Sequence, residues 1–184
     1  MPRTTTTTRA SEPRDRLLRT ASGIFYAKGI HAVGVDEIVT AAGVTRATFY
    51  RHFPSKDDLV VAYLHAASAA ERAQVASVLT DDLSPEDGVR AVARAVAAQI
   101  NDPAYRGCAF LNAAAEYPDT DHPVHRAVLE HRQWFLDTVT SLAGREKTEL
   151  FVLLRDGAMA SGCLADPRHV GQVFLQGVEE LLGS

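Results

Sequence analysis

Apolar residues recur every three or four positions along almost the whole chain, a spacing typical of amphipathic helices. The pattern is clearest near the C-terminus, where it includes Val170, Val173, Phe174, Gly177, Val178 and Leu181. No segment alternates apolar and polar residues as a half-buried strand would. The sequence therefore predicts an all-α protein.

Capping residues divide this pattern into about nine helices. Candidate N-caps precede several apolar stretches, as at Thr45, Ser55, Ser84 and Asp166. Gly or Pro follows the end of most of these apolar stretches. The predicted helices cover residues 14–28, 35–42, 46–53, 56–79, 85–100, 106–116, 122–142, 146–164 and 167–181. Residues 1–13, which include a run of threonines, are predicted to be a flexible tail.

Composition narrows the class of protein. The 184-residue chain is 46% hydrophobic and 23% charged, which is typical of a globular protein and excludes wholesale disorder. Its two cysteines, Cys108 and Cys163, form no C-x-x-C pattern, so neither a disulfide framework nor a thiolate zinc site is expected. Without a long apolar span or an apolar N-terminal signal, we expect a cytoplasmic protein that does not enter a membrane.

The charge is distributed unevenly along the chain. Residues 1–56 contain nine Lys or Arg and four Asp or Glu, a net charge of +5, whereas the remaining residues carry −9. A basic head on an acidic body predicts that the head alone meets a polyanion such as nucleic acid.

A helix-turn-helix pattern lies within this head. Only Gly43 and Val44 separate the second predicted helix from the N-cap of the third, and a short glycine-bearing connection is typical of that motif. Phe49 and Phe53 are spaced to pack the third helix onto the first. Its other large side chains are donors suited to phosphates and base edges, namely Arg46, Thr48, Tyr50, Arg51 and His52.

The segment AAGVTRATFYRHFPSKDDL, preceded by VDEIVT, closely resembles the DNA-binding signature of TetR-type (tetracycline-repressor-like) transcriptional regulators. The resemblance is specific over residues 14–64. It implies a DNA-binding head, residues 14–56, and a body, residues 57–184, that binds an effector and forms a homodimer. Such a repressor would bind a palindromic operator in double-stranded DNA and be released by a small molecule.

Individual roles in the head follow from the same resemblance. It places Arg46 and Ala47 against bases, Thr48 and His52 against phosphates, and Tyr50 against backbone or base. Lys56 falls at a backbone-contacting helix start, and Thr45 and Arg51 complete the predicted DNA-binding set. Without the resemblance, Arg46, Arg51 and His52 could equally form an ordinary solvated face.

A ligand pocket is predicted in the body. Asn112 and Glu116 lie four residues apart on a helix face of small residues, which would leave a cavity with directional hydrogen bonds. The predicted site for a mostly apolar effector comprises Tyr63, Cys108, Phe110, Asn112, Glu116 and Trp134. Alternatively, Asn112 and Glu116 cap neighbouring helices and the aromatic residues belong to the core. A ligand against the body half of helix 56–79 could tilt that helix and move the head.

The last two helices are predicted to form the dimer interface, through Leu150, Leu154, Ala158, Val173, Phe174, Val178 and Leu181. The alternative is that they complete the core of a monomer. A runner-up function is a helical small-molecule-binding or enzymatic domain with a vestigial head, built on Asn112, Glu116, His122 and His125. Because no H-E-x-x-H, G-x-S-x-G or phosphate-loop motif occurs, we expect no enzyme, cofactor or metal.

Overall fold

Eight α-helices account for the secondary structure of the part of the chain that the structure describes. The computed structural model covers the backbone of residues 8–183 and the side chains of residues 12–183. The helices are α1 Thr8–Lys28, α2 Val35–Ala42, α3 Arg46–His52, α4 Lys56–Val78, α5 Pro85–Ile100, α6 Ala109–Glu116, α7 Pro123–Ser161 and α8 Pro167–Leu182. These residues contain no strand, so the prediction of an all-α fold is confirmed.

Gly144 divides α7 into two segments that run back along each other. Its φ of 75° and ψ of 165° are not helical. The ring centroids of Phe135 and Phe151, one in each segment, lie 6.3 Å apart, whereas a continuous helix would separate these residues by about 24 Å. With α7 counted as two segments, the predicted number of about nine helices agrees with the structure.

The N-caps form where the sequence placed them. Ser55 accepts a hydrogen bond from the amide of Asp58, whose carboxylate in turn accepts from the amide of Ser55, which is a capping box. Ser84 and Asp166 cap α5 and α8 through their side chains. These caps fix where α4, α5 and α8 begin.

Two helix starts differ from the prediction. The first helix begins at Thr8 rather than at Arg14, so it includes part of the predicted tail, whose residues 1–7 lie outside the described residues. Helix α6 begins at Ala109 rather than near residue 106. The reason is Gly107, whose φ of 93° breaks the helical path just before α6.

One continuous core joins the head to the body. Leu17, Phe25, Ile38 and Phe49 are buried where α1 packs against α2 and α3, and α5 packs against α7 and α8 in the body. Helix α4 contributes to both regions, because it contacts α1 as well as α5 and α7. Among the described residues, no helix combines the length and apolarity needed to cross a bilayer.

Candidate functional site

The third helix is held by a short turn and a buried aromatic pair. Gly43 ends α2 in the left-handed conformation, with a φ of 60°, which glycine adopts without strain. Thr45 caps α3 by accepting a hydrogen bond from the amide of Thr48 at 3.1 Å. Phe49 and Phe53 are buried beneath the helix, so its opposite face is directed outward.

That outward face carries most of the predicted DNA-binding residues. Exposed positions are Thr45, Arg46, Ala47, Tyr50 and Arg51, while Thr48 and His52 are half-buried. Two arginines, a phenol, an imidazole and hydroxyl groups on one short helix can donate to phosphate oxygens and to base edges.

The polar groups of this face have only surface partners in the free chain. Arg46 Nε lies 3.1 Å from Asp36 Oδ1 on α2, and the Thr45 and Thr48 hydroxyl groups are 3.0 Å apart. Exposed ion pairs contribute about 0–1 kcal/mol. A phosphate or base can therefore replace these partners at small cost.

Lys56 stands apart from this face because its ammonium group is already engaged. Its Nζ donates to the Ile30 carbonyl oxygen at 2.7 Å, and burial lowers the pKa of this amine. Lys56 thus ties the start of α4 to the loop between α1 and α2. Its predicted contact with the DNA backbone remains a prediction.

A cavity of about 370 Å³, which we call the α1–α4 cavity, lies between α1, α4, α5 and α6. Three predicted ligand residues line it, namely Tyr63, Cys108 and Phe110. Its other polar side chains were not predicted from the sequence, namely Ser22, Tyr26, Glu71, Gln74 and Gln99. No local motif could have found them, because four helices distant in sequence contribute.

Asn112 and Glu116 line an adjacent cavity of about 270 Å³, the Glu116 cavity, which shares Tyr63 and Ala109 with the first. Asn112 Nδ2 donates to the Arg106 carbonyl oxygen at 3.1 Å, and Glu116 accepts from backbone amides of the head. Both side chains therefore bind backbone groups of loops, before α6 and between α1 and α2, and neither caps a neighbouring helix.

Trp134 lines neither cavity. The guanidinium carbon of Arg72 lies 4.6 Å from its ring centroid, and Arg72 is held in turn by the Ser68 hydroxyl. Trp134 therefore packs beneath a cation on α4 instead of bordering either space.

A buried ion network stands behind the α1–α4 cavity. The carboxylate of Glu71 accepts from Arg155 Nη2 at 3.0 Å and lies 3.4 Å from His131 Nε2. Burial alone would raise the pKa of Glu71, but the adjacent His131 and Arg155 outweigh it, so that pKa lies below its ordinary value. Asp156 joins Arg155 to Arg132. Glu71 is thus an ionised wall of the cavity, balanced by the guanidinium group of Arg155 on α7.

The remaining chemistry-bearing side chains have structural partners. His122 Nε2 lies 3.4 Å from Asp57 Oδ2, and His125 Nδ1 contacts the Tyr117 carbonyl oxygen at 2.6 Å. Cys108 is buried, and burial raises the pKa of its thiol, which disfavours the reactive thiolate. Within residues 12–183, no three His, Cys, Asp or Glu side chains are grouped to hold a metal ion.

The predicted dimer residues divide between the surface and the core. Leu150 and Val173 are 48% and 54% exposed, and the neighbouring Leu153 is 66% exposed. In contrast, Ala158, Phe174, Val178 and Leu181 are buried within the chain, which agrees with the core alternative for these four. A groove of about 380 Å³, the α7–α8 groove, is lined by the exposed Leu153 and Val173 and also by Leu154, Ala158 and Phe174.

Comparison with known proteins gives matches to both halves of the chain. The family model described as "Bacterial regulatory proteins, tetR family" matches residues 17–63. A second, described as "Tetracyclin repressor-like, C-terminal domain", matches residues 85–150.

Solved structures agree over nearly the full length. SCO4454, a TetR-family transcriptional regulator from Streptomyces coelicolor, is 57% identical, with a TM-score of 0.91 over 94% of this chain and 95% of that one. The multidrug binding protein EbrR, solved with malachite green, shares the fold at 19% identity, with a TM-score of 0.75 over 91% of this chain and 96% of that one.

Curated relatives match shorter stretches of the chain, such as 53 residues in one case and 98 in another. The HTH-type transcriptional activator FasR of Mycolicibacterium smegmatis is 47% identical over 53 residues, or 29% of this chain. The chain spans about a quarter of the length of FasR, since the match covers 24% of it.

Proposed function

The chain belongs to the TetR family of bacterial transcriptional regulators, and from this premise we propose that it is a homodimeric repressor. Its head binds a palindromic operator in double-stranded DNA, and a small, mostly apolar effector bound in the body releases it. The function is binding without catalysis, carried out in the cytoplasm where the chromosome is accessible.

The outward face of α3 is the observation that carries the proposal. Arg46, Tyr50 and Arg51 are exposed on a helix whose opposite side is fixed by buried Phe49. A rigid helix with projecting donors fits a major groove. In a two-fold dimer bound to one side of the duplex, two copies of α3 would lie roughly 34–36 Å apart, one turn of B-DNA.

The α1–α4 cavity is the proposed effector site. Its size falls within the range of about 300–1,000 Å³ usual for small-molecule sites. Tyr63, Ala67 and Phe110 supply apolar walls, while Tyr26 and Gln99 supply hydrogen-bonding groups. These walls suit a mostly apolar molecule with one or two polar groups, and the dye bound to EbrR is a reasonable first probe.

Dimerisation is supported by the α7–α8 groove. Leu153 and Val173 expose apolar surface on its two sides, and a partner would remove that surface from water. Pairing of the same two helices from each copy would give a four-helix bundle about a two-fold axis.

Selection of bound duplexes from a random pool tests the proposed DNA binding. We expect a palindromic sequence, whose affinity falls linearly with salt concentration on a double-logarithmic plot because phosphates are neutralised. A flat salt response, or recovery of no common sequence, would contradict the proposal and favour a helical ligand-binding domain with a vestigial head.

The effector role has a separate test. Malachite green should be titrated into the chain with and without the selected duplex, and the duplex should weaken dye binding by the same factor by which the dye weakens duplex binding. Ala70→Phe, which fills the α1–α4 cavity from α4, should abolish dye binding. Equal dye affinity in both titrations would show that this dye, although bound, does not control DNA release.

A further inference from the structure

The carboxylate of Glu116, at the end of α6, is seated in the loop between α1 and α2. Its Oε1 accepts from the Ile30 amide at 2.8 Å, and its Oε2 accepts from the His31 amide at 2.5 Å. Gly29, with a φ of 86°, precedes these two amides, and successive amides after such a turn form an anion-binding nest. A body residue thus occupies an anion site of the head.

The next residue, Tyr117, contacts both the start of α4 and the head. The Tyr117 hydroxyl group donates to Asp57 Oδ1 at 3.1 Å, near the start of α4, and its ring packs against that of His31 at 4.7 Å. We call the contacts that Glu116 and Tyr117 make with residues 30 and 31 the head–body clamp.

The opposite end of the same helix borders the effector cavity. Ala109 and Phe110, at the start of α6, line the α1–α4 cavity, and α6 has only eight residues, or about 12 Å of length. Because backbone hydrogen bonds make so short a helix stiff, we expect a molecule that displaces Phe110 to displace Glu116 as well.

We propose that Glu116 is a positioning residue that couples occupancy of the α1–α4 cavity to the orientation of the head. This inference rests on the function proposed above. In addition to a tilt of α4, the signal would then pass directly from α6 to the loop between α1 and α2. With the cavity empty, the clamp holds the head in the orientation that binds DNA, and an effector weakens DNA binding by pulling the carboxylate out of the nest.

Removal of the charge tests the clamp itself. In Glu116→Gln, we expect faster hydrogen exchange at the amides of residues 30 and 31 and at least about a fivefold loss of affinity for the selected duplex, the lower range of allosteric couplings. The matched control is Glu146→Gln, an exposed carboxylate on α7, which should change neither quantity. Unchanged DNA affinity despite faster exchange at these amides would overturn the proposal.

A double-mutant cycle separates coupling from simple loss of structure. Ala70→Phe fills the α1–α4 cavity from α4 without bordering the Glu116 cavity and should also weaken DNA binding at least about fivefold. If the cavity-filling substitution acts by moving Glu116, the double variant should bind the duplex no more weakly than the single variant with the larger loss of affinity. Additive losses would show that Glu116 does not transmit the signal. Should Ala70→Phe fail to fold, Ala67→Phe fills the same cavity from α4 and enters the same cycle.

Failure of the underlying function gives a different result. If the unaltered chain binds no duplex, the repressor proposal fails, and the coupling inference falls with it. If the unaltered chain binds DNA but the two substitutions act independently, only the coupling inference fails.

Discussion

Arg46 at the start of α3 pairs with Asp36 in the first turn of α2, with Arg46 Nε 3.1 Å from Asp36 Oδ1. Both side chains are largely exposed, at 60% and 75%. The acid therefore orients the arginine across the turn in the free chain while leaving it accessible to DNA. It also places one negative charge on a surface that must approach phosphates.

Arg46→Ala should reduce sequence discrimination. An arginine that reaches a base edge contributes about 1–3 kcal/mol of preference for the correct base. Binding should be measured on the selected duplex and on a scrambled duplex, and only the former should weaken strongly. Lys56→Ala is the comparison, expected to weaken both duplexes equally because a phosphate contact carries no sequence information. Equal losses of affinity for the selected and the scrambled duplex in Arg46→Ala would show that Arg46 does not recognise bases.

Asp36→Asn should strengthen binding to every duplex. The substitution removes a like charge facing the phosphates and releases Arg46 from a surface pair worth about 0–1 kcal/mol, so affinity should rise up to about fivefold. Asp81→Asn, an exposed acid in the loop after α4, serves as the control and should have no effect. Weaker binding by Asp36→Asn would mean that orienting Arg46 outweighs the repulsion.

The local features of the head could be predicted because they depend on residues close in sequence. Gly43 ends α2, Thr45 caps α3, and Phe49 faces inward at helical spacing. The partner of Lys56 could not be predicted, since the Ile30 carbonyl oxygen lies on a separate loop. Its position depends on how α1 packs against α4.

Stability should fall in acid because of Glu71. Its pKa is held below the ordinary value of 4.5, so ionised Glu71 contributes stability above about pH 4.5, and this is lost as pH falls through the lowered pKa. Thermal unfolding from pH 7 to pH 3 should show a steeper loss in the unaltered chain than in Glu71→Gln.

At neutral pH, Glu71→Gln should lower the free energy of unfolding by about 3 kcal/mol, the lower end for breaking a buried ion pair. The lower end applies because Asp156 still balances Arg155. Glu149→Gln, exposed on α7, provides the control. Identical dependence of thermal stability on pH for Glu71→Gln and the unaltered chain would show that the carboxylate of Glu71 does not cause the loss of stability in acid.

The buried ion network around Glu71 could not be predicted from the sequence. Glu71 lies on α4, while His131 and Arg155 lie on the two segments of α7, so no short motif contains them. Asn112 and Glu116 were grouped correctly on one helix face, but they bind separate backbone groups. Spacing along a helix gives the direction of a side chain without identifying its partner.

Val173→Asp should prevent dimer formation. The residue is 54% exposed beside the α7–α8 groove, and a charge buried against a partner copy would lack compensation. Sedimentation at micromolar concentration should show a dimer for the unaltered chain and a monomer for the variant. Leu129→Asp changes an exposed leucine on the other segment of α7 and should remain dimeric. A monomeric unaltered chain would contradict the expected interface.

Gly144→Ala should destabilise the body. A φ of 75° with a ψ of 165° is a conformation essentially limited to glycine, and other residues there cost about 1–3 kcal/mol. Gly23→Ala is the matched control, because its added methyl group meets no atom within 4 Å and it lies within α1. Chemical denaturation should show the control to be unchanged or slightly more stable. Equal stability of both variants would mean that the turn at Gly144 tolerates a side chain.

The tight reversal at Gly144 also limits how relatives of this protein can vary in length. An insertion of one residue beside it would rotate residues 145–161 by about 100° about their own axis. Phe151 and Arg155 would then leave the core, and the exposed leucines would turn away from their present face. Length changes are therefore better tolerated in the loop between α4 and α5, where the exposed residues 80–82 can accept added chain without altering helix register.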